Sequence, residues 1–208
     1  MFTLYSADFT GNPGNCSYPH KTVVMNTDNL REAVCHDYVC AEYKNHYRNG
    51  ENFISADCLP VDCDNDHSED PKDWVTPADV LEAFPGVSIA IHYSRFNNRE
   101  KNGKPARPKF HVLFPIDRMT DATLYSDMKK LVNSIFPYFD TKALDAARFF
   151  FGTQEPSVEL YPGRMNLTEF LNDDEFDAGL PGGHEKDAVI PEGSRNAVMS
   201  RFAGIVIK

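Results

Sequence analysis

Residues 59–66 read Leu59-Pro60-Val61-Asp62-Cys63-Asp64-Asn65-Asp66 and combine an apolar run with three carboxylates. The apolar start is typical of a buried β-strand, and side chains on a strand alternate between the two faces of its sheet. Asp62 and Asp64 are therefore expected on one face, with Cys63 between them pointing into the core. Two neighbouring carboxylates form a site for a divalent cation, although the same pair also occurs at solvated strand ends and in calcium-binding loops.

A second strand is predicted over Arg107-Pro108-Lys109-Phe110-His111-Val112-Leu113-Phe114-Pro115. By the same alternation, Lys109 and His111 share one face while Phe110 and Val112 take the other. This face is predicted to offer cationic donors for phosphate. For His111, a core histidine satisfied by a backbone carbonyl remains the alternative.

A third stretch, residues 139–153, joins acidic residues to an arginine that precedes an apolar run, Phe149-Phe150-Phe151. Asp140 and Asp145 each follow an apolar residue, so either carboxylate could be a further metal ligand. Arg148 is a candidate phosphate donor, and an ion pair with Asp145 three residues earlier is the alternative.

The order of these features is an acid pair, then a histidine, then an acid with an arginine. It resembles the three-motif pattern of the archaeo-eukaryotic primase superfamily, in particular the primase-polymerases of phages and plasmids, over about residues 36–155. The sequence departs from that pattern at Lys109, which stands two residues before His111, where the superfamily often has Ser. The fold that the resemblance implies is α+β, with an RRM-like, mixed and largely antiparallel sheet flanked by helices.

The activity that the resemblance implies is template-directed nucleotidyl transfer by a DNA primase-polymerase, with two Mg²⁺ or Mn²⁺ ions. Its implied metal ligands are Asp62, Asp64 and a third acid. Asp140 is favoured over Asp145 as that third acid because it lies further before the motif's arginine.

The same resemblance implies nucleotide-binding roles for His111, Lys109 and Arg148. The partners that it implies are nucleoside triphosphates, a single-stranded DNA template with its primer, and a replicative helicase. A cytoplasmic location in a bacterial host is expected, either for a phage-encoded protein or for one of a mobile element.

The chain has 208 residues and a net charge of −10, which argues against a protein that coats nucleic acid nonspecifically. Positive charge is nevertheless concentrated over residues 95–109, in the basic loop that leads into the second strand. If the sheet carries the active site, this loop is expected to lie along the phosphate backbone of a template, and a solvated hairpin is the alternative. Its predicted nucleic-acid-binding residues are Arg95, Arg99, Lys101, Lys104 and Arg107.

The cysteine spacing and the length of the apolar runs each exclude a class of protein. The five cysteines show no Cys-x-x-Cys spacing, so neither a zinc ribbon nor a disulfide framework is indicated. No apolar run approaches the roughly 18 residues of a membrane span, so no membrane partner is expected.

Helices are predicted over Asn29–Glu42, behind Thr27 or Asp28 as a cap, and over Thr120–Phe136. A further helix is expected to begin at Thr76-Pro77 and to stop at Pro85-Gly86. The run Val87–Ser94 and the strand around His111 are expected to pair antiparallel across a loop at residues 97–106.

The expected domain organisation has three parts. Residues 1–172 would form the catalytic domain, residues 173–192 an acidic linker rich in Gly and Pro, and residues 193–208 the start of a truncated C-terminal helical domain.

Two other classes of protein fit the same residues. A two-metal nuclease would use the same acids, with an additional acid or a Lys or His base aimed at water. A noncatalytic replication-initiator module would use the acid pair structurally.

Overall fold

The computed structural model describes residues 1–100 and 103–172. The predicted acidic linker and C-terminal helix lie outside the described residues, as does Lys101. The strands are β1 (Phe2–Ser6), β2 (His20–Val24), β3 (Tyr38–Val39), β4 (Ala41–Tyr43), β5 (Phe53–Cys63), β6 (Ile89–Tyr93), β7 (Phe110–Met119), β8 (Phe149–Phe150) and β9 (Val158–Tyr161). The helices are α1 (Thr27–Val34), α2 (Pro77–Ala83), α3 (Ala122–Ile135) and α4 (Leu167–Leu171).

Within the described residues, the strands form two antiparallel sheets. One has the strand order β2-β1-β3-β8, and the other has the order β4-β5-β7-β6-β9. The predicted α+β class with a largely antiparallel sheet and flanking helices is confirmed, with the strands divided between two sheets.

The five-stranded sheet is covered on both faces, which explains why β5 and β7 are apolar almost throughout. One face shares a core with residues of α2, α3 and α4, and Val61 and Cys63 point into it, as predicted for Cys63. The opposite face shares a second core with β1, β3 and α1, to which Cys58 and Leu113 contribute. The ends of β5 and β7 are therefore held rigidly between two packed layers.

The predicted elements on either side of the loop at residues 97–106 are confirmed. Helix α2 begins with Pro77 behind Thr76, whose side chain and backbone share a capping box with Asp79. Strands β6 and β7 pair antiparallel, with His92 opposite His111. Helix α3 begins two residues later than predicted, because the Asp121 side chain accepts from the Thr123 and Leu124 amides and so caps it.

The first helix is shorter than predicted. It ends at Val34, and it is capped by Asn26 rather than by Thr27 or Asp28. The buried carboxylate of Asp37 accepts hydrogen bonds from the amides of Gly11, Asn12 and Gly152, which fixes the chain outside a helix. The residues that follow form β3 and β4, so long-range strand pairing overrode the helical spacing of the apolar residues.

No helix in residues 1–100 and 103–172 is both long enough and apolar enough to cross a bilayer.

Candidate active site

Three polar side chains lie in one row across the five-stranded sheet. Asp62 on β5 is opposite His111 on β7, and His111 is opposite His92 on β6. All three are buried, on the sheet face that packs against Tyr38 of β3 and Phe150 of β8. Cross-strand register thus brings together residues that are far apart in the sequence.

Asp140 joins this row from the segment after α3. Its backbone N–H donates to the Asp62 carbonyl over 2.7 Å, which places its side chain beside the end of β5. Carboxylate oxygens of Asp62, Asp64 and Asp140 all lie within 4.8 Å of one another, and we call these three residues the acid cluster. Such a group of hard oxygen ligands could hold a divalent metal ion.

Asp145, the other candidate for the third ligand, is exposed and serves the local backbone. Its carboxylate accepts from the Ala147 amide over 2.8 Å, and its carbonyl accepts from the buried Lys129 ammonium over 2.8 Å. It does not belong to the acid cluster.

Asp62 is electrostatically strained where it lies. Among the described residues, its buried Oδ1 has no hydrogen-bond partner. Burial and, after it, the charge of Asp64 raise the pKa of this carboxyl to about 7, against the opposing effect of Arg148. A cation at the acid cluster would satisfy the unpartnered oxygen and relieve the carboxylate repulsion, so these residues fit a divalent metal.

His111 is held between the acid cluster and the second sheet. Its Nε2 lies 3.6 Å from Asp62 Oδ1, and its Nδ1 lies 3.2 Å from the Tyr38 hydroxyl. Burial lowers the pKa of this imidazole to about 3, and Asp64 only partly offsets the effect. His111 is therefore neutral near pH 7 and not the cationic donor expected from the sequence.

Lys109 is engaged by the acids that follow β5. Its ammonium lies 3.0 Å from Asp64 Oδ1 and 3.5 Å from Asp66 Oδ1, and it donates to the Asp64 carbonyl over 3.0 Å. Its side chain is 6% exposed, so the charge is already committed to this segment.

Arg148 reaches the acid cluster from the residue before β8. Its Nη2 lies 3.7 Å from Asp62 Oδ2, so in the described structure its ion pair is with Asp62 and not with Asp145. The side chain is 32% exposed, and its buried Nε has no hydrogen-bond partner among the described residues. Arg148 therefore keeps donor capacity at the edge of the site.

The predicted nucleic-acid-binding residues separate into two groups. Arg107 is fully buried, where it donates to the Asn65 carbonyl over 2.7 Å and to Glu69 over 3.0 Å. Lys104 pairs with Asp66 over 3.2 Å. Both cations thus face the acidic segment after β5.

Arg95 and Arg99, by contrast, are exposed and line a cleft of about 660 Å³ at the end of β6. The Arg95 guanidinium lies 4.1 Å from the ring centroid of Phe151. Segment 152–157 forms the other wall, which includes Thr153 and Glu155. The cleft is polar and carries cations on one side.

The sequence did not predict two residues of this site: His92, which is a member of the row, and Tyr38, which packs against it. His92 lies in the predicted strand Val87–Ser94, and the expected pairing with the His111 strand would have found it once the register was known. Tyr38 fell inside the helix predicted over residues 29–42, so no signal placed it in the site.

No protein-family model matches this chain, and no curated protein matches it significantly. Among solved structures, the chain is similar to the AEP (archaeo-eukaryotic primase) domain of the primase-polymerase of cyanophage S-2L. The match has 13% sequence identity and a TM-score of 0.43, and it covers 78% of this chain and 81% of that chain. A likeness this distant carries no argument about activity.

Proposed function

We propose that this chain is a metal-dependent nucleotidyltransferase of the primase-polymerase type, which extends a primer along a single-stranded DNA template. One observation carries the proposal: the acid cluster lies directly beside two groups that can donate to phosphate, His111 and Arg148. The order of these residues along the chain supports it, because it resembles the three-motif pattern of the archaeo-eukaryotic primases.

Asp62, Asp64 and Asp140 would hold Mg²⁺ or Mn²⁺. When bound, two such ions supply an acidified hydroxyl and charge neutralisation on a leaving pyrophosphate. His111 Nε2 and Arg148 Nη2 lie 3.6 and 3.7 Å from the two carboxylate oxygens of Asp62, and each can donate to a phosphate oxygen at the acid cluster. Lys109 serves mainly to hold Asp64 and Asp66 in place.

Arg95 and Arg99 are the residues of the basic loop that we assign to the nucleic acid, because they are exposed and line the cleft. A cationic wall follows a phosphate backbone without reading its sequence. A replicative helicase as partner stays a prediction from the resemblance.

Primer extension on a single-stranded template, with ribo- or deoxyribonucleotides and with Mg²⁺ or Mn²⁺, tests the proposal. We expect one pyrophosphate released for each nucleotide added, and loss of both signals in Asp62→Asn. Shortening of the DNA without pyrophosphate would instead identify a two-metal nuclease. Calorimetry showing no Mn²⁺ binding would favour a noncatalytic replication-initiator module.

A further inference from the structure

A continuous chain of polar groups runs behind the candidate site. It begins at Thr153 on the wall of the cleft, whose hydroxyl lies 3.0 Å from His92 Nε2. The Tyr38 hydroxyl lies 3.1 Å from His92 Nδ1 and 3.2 Å from His111 Nδ1. The chain ends at Asp62, which faces His111 Nε2.

The number of hydrogens that this chain of polar groups can donate is limited. At mildly alkaline pH, the ordinary pKa values of histidine and tyrosine leave His92, His111 and Tyr38 neutral. A neutral imidazole carries one N–H, and a tyrosine hydroxyl has one proton to donate. Tyr38 can therefore donate to only one of the two Nδ1 atoms and must accept from the other.

The groups at the two ends of this chain of polar groups decide the direction in which hydrogen bonds are donated along it. At mildly alkaline pH the Asp62 carboxylate is ionised and can only accept. At 3.6 Å it favours a hydrogen on His111 Nε2, even though this separation is too long for a hydrogen bond. The Thr153 hydroxyl at the other end can donate as well as accept, so it opposes neither direction. Asp62 thus selects the direction in which Thr153 donates to His92, His92 to Tyr38, and Tyr38 to His111.

We propose that Tyr38, His92 and Thr153 are positioning residues that hold His111 in the tautomer with its hydrogen on Nε2. The site then presents an uncharged N–H donor at the acid cluster, with a fixed ring orientation. The tautomer follows from this chain of contacts and the negative charge of Asp62, and only its use on a nucleotide phosphate rests on the proposed function.

The tautomer is measurable by ¹⁵N NMR on the metal-free 208-residue chain labelled at histidine. A ring nitrogen with a hydrogen and one without have distinct chemical shifts. At mildly alkaline pH we expect a hydrogen on Nε2 of His111 and on Nδ1 of His92, with signals assigned from single His→Gln variants. A hydrogen on His111 Nδ1 would overturn the proposal.

Two substitutions break the chain at different points. Tyr38→Phe removes the central hydroxyl, and Thr153→Val removes the outer one with little change of shape, whereas Thr153→Ser keeps it. We expect Tyr38→Phe and Thr153→Val to move the His111 shifts towards those of exchanging tautomers, and Thr153→Ser to leave them unchanged. Unchanged shifts in both Tyr38→Phe and Thr153→Val would contradict the positioning role.

Tyr125→Phe is the matched control, because the Tyr125 hydroxyl is equally buried and donates to the Cys58 carbonyl over 2.7 Å. It should cost comparable stability but leave the His111 shifts and the nucleotide KM unchanged. In Tyr38→Phe we expect the nucleotide KM to rise about fivefold to tenfold, as for one lost hydrogen bond, with a smaller change in kcat.

The two proposals fail separately. The expected tautomer without any nucleotidyl transfer would sustain the positioning role and remove the proposed function. Normal nucleotidyl transfer with a hydrogen on His111 Nδ1 would sustain the proposed function and overturn the positioning role.

Discussion

His111 lies directly opposite Asp62 in the β5–β7 pair, and its Nε2 is 3.6 Å from Asp62 Oδ1. A candidate phosphate donor and a candidate metal ligand are therefore neighbours on two rigid, paired strands. The distance between them is set by strand register and not by a mobile loop, which is the arrangement that keeps a site preorganised.

Asp140→Asn should abolish Mn²⁺ binding measured by calorimetry, because it removes one of three hard ligands from the acid cluster. Asp145→Asn is the matched control, with the same change of charge five residues away. It should retain metal binding and most of the protein's stability, because the side-chain oxygen of asparagine can still accept from the Ala147 amide. The opposite pattern would move the third ligand to Asp145.

Asp62→Asn should stabilise the metal-free protein, and more so at pH 8 than at pH 4. The folded-state pKa of Asp62 is about 7, against an ordinary 3.8, so between these values the folded state holds a proton that the unfolded state lacks. Stability from this group therefore falls as pH rises from about 4 to about 7. The gain in the variant should approach a few kcal/mol, and denaturant unfolding across the pH range measures it. An equal gain at both pH values would contradict the raised pKa.

The two buried histidines, His92 and His111, should make the protein less stable as pH falls, which is opposite to the effect of Asp62. The pKa of His111 is lowered to about 3 and that of His92 also lies well below 6.5, so on acidification only the unfolded state takes up their protons. Their contribution to stability is complete above pH 6.5 and is lost as pH falls towards 3. His92→Asn should reduce the loss on acidification by about 1.4 kcal/mol per pH unit at most, measured by unfolding at pH 4 to 6. An acid sensitivity equal to the wild type would mean that His92 is protonated in the folded state.

Arg148→Gln should raise the nucleotide KM similarly for all four bases, because the contact proposed for the guanidinium is to phosphate and not to a base. Steady-state extension with each nucleotide measures this, and a tenfold loss corresponds to about 1.4 kcal/mol. Lys142→Gln removes the same charge from an exposed residue nearby and should have no effect. A defect confined to one base would argue against a phosphate contact.

Arg99→Met and Arg107→Met remove the same side-chain charge from opposite environments. The first should weaken single-stranded DNA binding and reduce its salt dependence, since Arg99 is exposed at the cleft. The second should destabilise the fold by about 1–3 kcal/mol, because Arg107 is fully buried and its loss leaves the carbonyl of the buried Asn65 without this partner. Equal DNA binding in Arg99→Met and the wild type would remove the cleft from the proposed interface.

Local features of this protein could be predicted from the sequence because they depend on chain neighbours. The alternation of side chains along a strand predicted that Asp62 and Asp64 lie together and that Cys63 points into the core. The Thr76-Pro77 pair predicted the start of α2. The β6–β7 pairing followed from two β-rich runs joined by a polar loop.

Only the tertiary structure decided which of these residues meet and in what state. Strand register placed His92 beside His111, and a backbone hydrogen bond brought Asp140 to Asp62. Burial between two sheets made His111 neutral and turned Arg107 from a predicted surface cation into an internal anchor. Charge state and exposure depend on the solvent that remote elements exclude, and the residue pattern of a single strand carries no record of that packing.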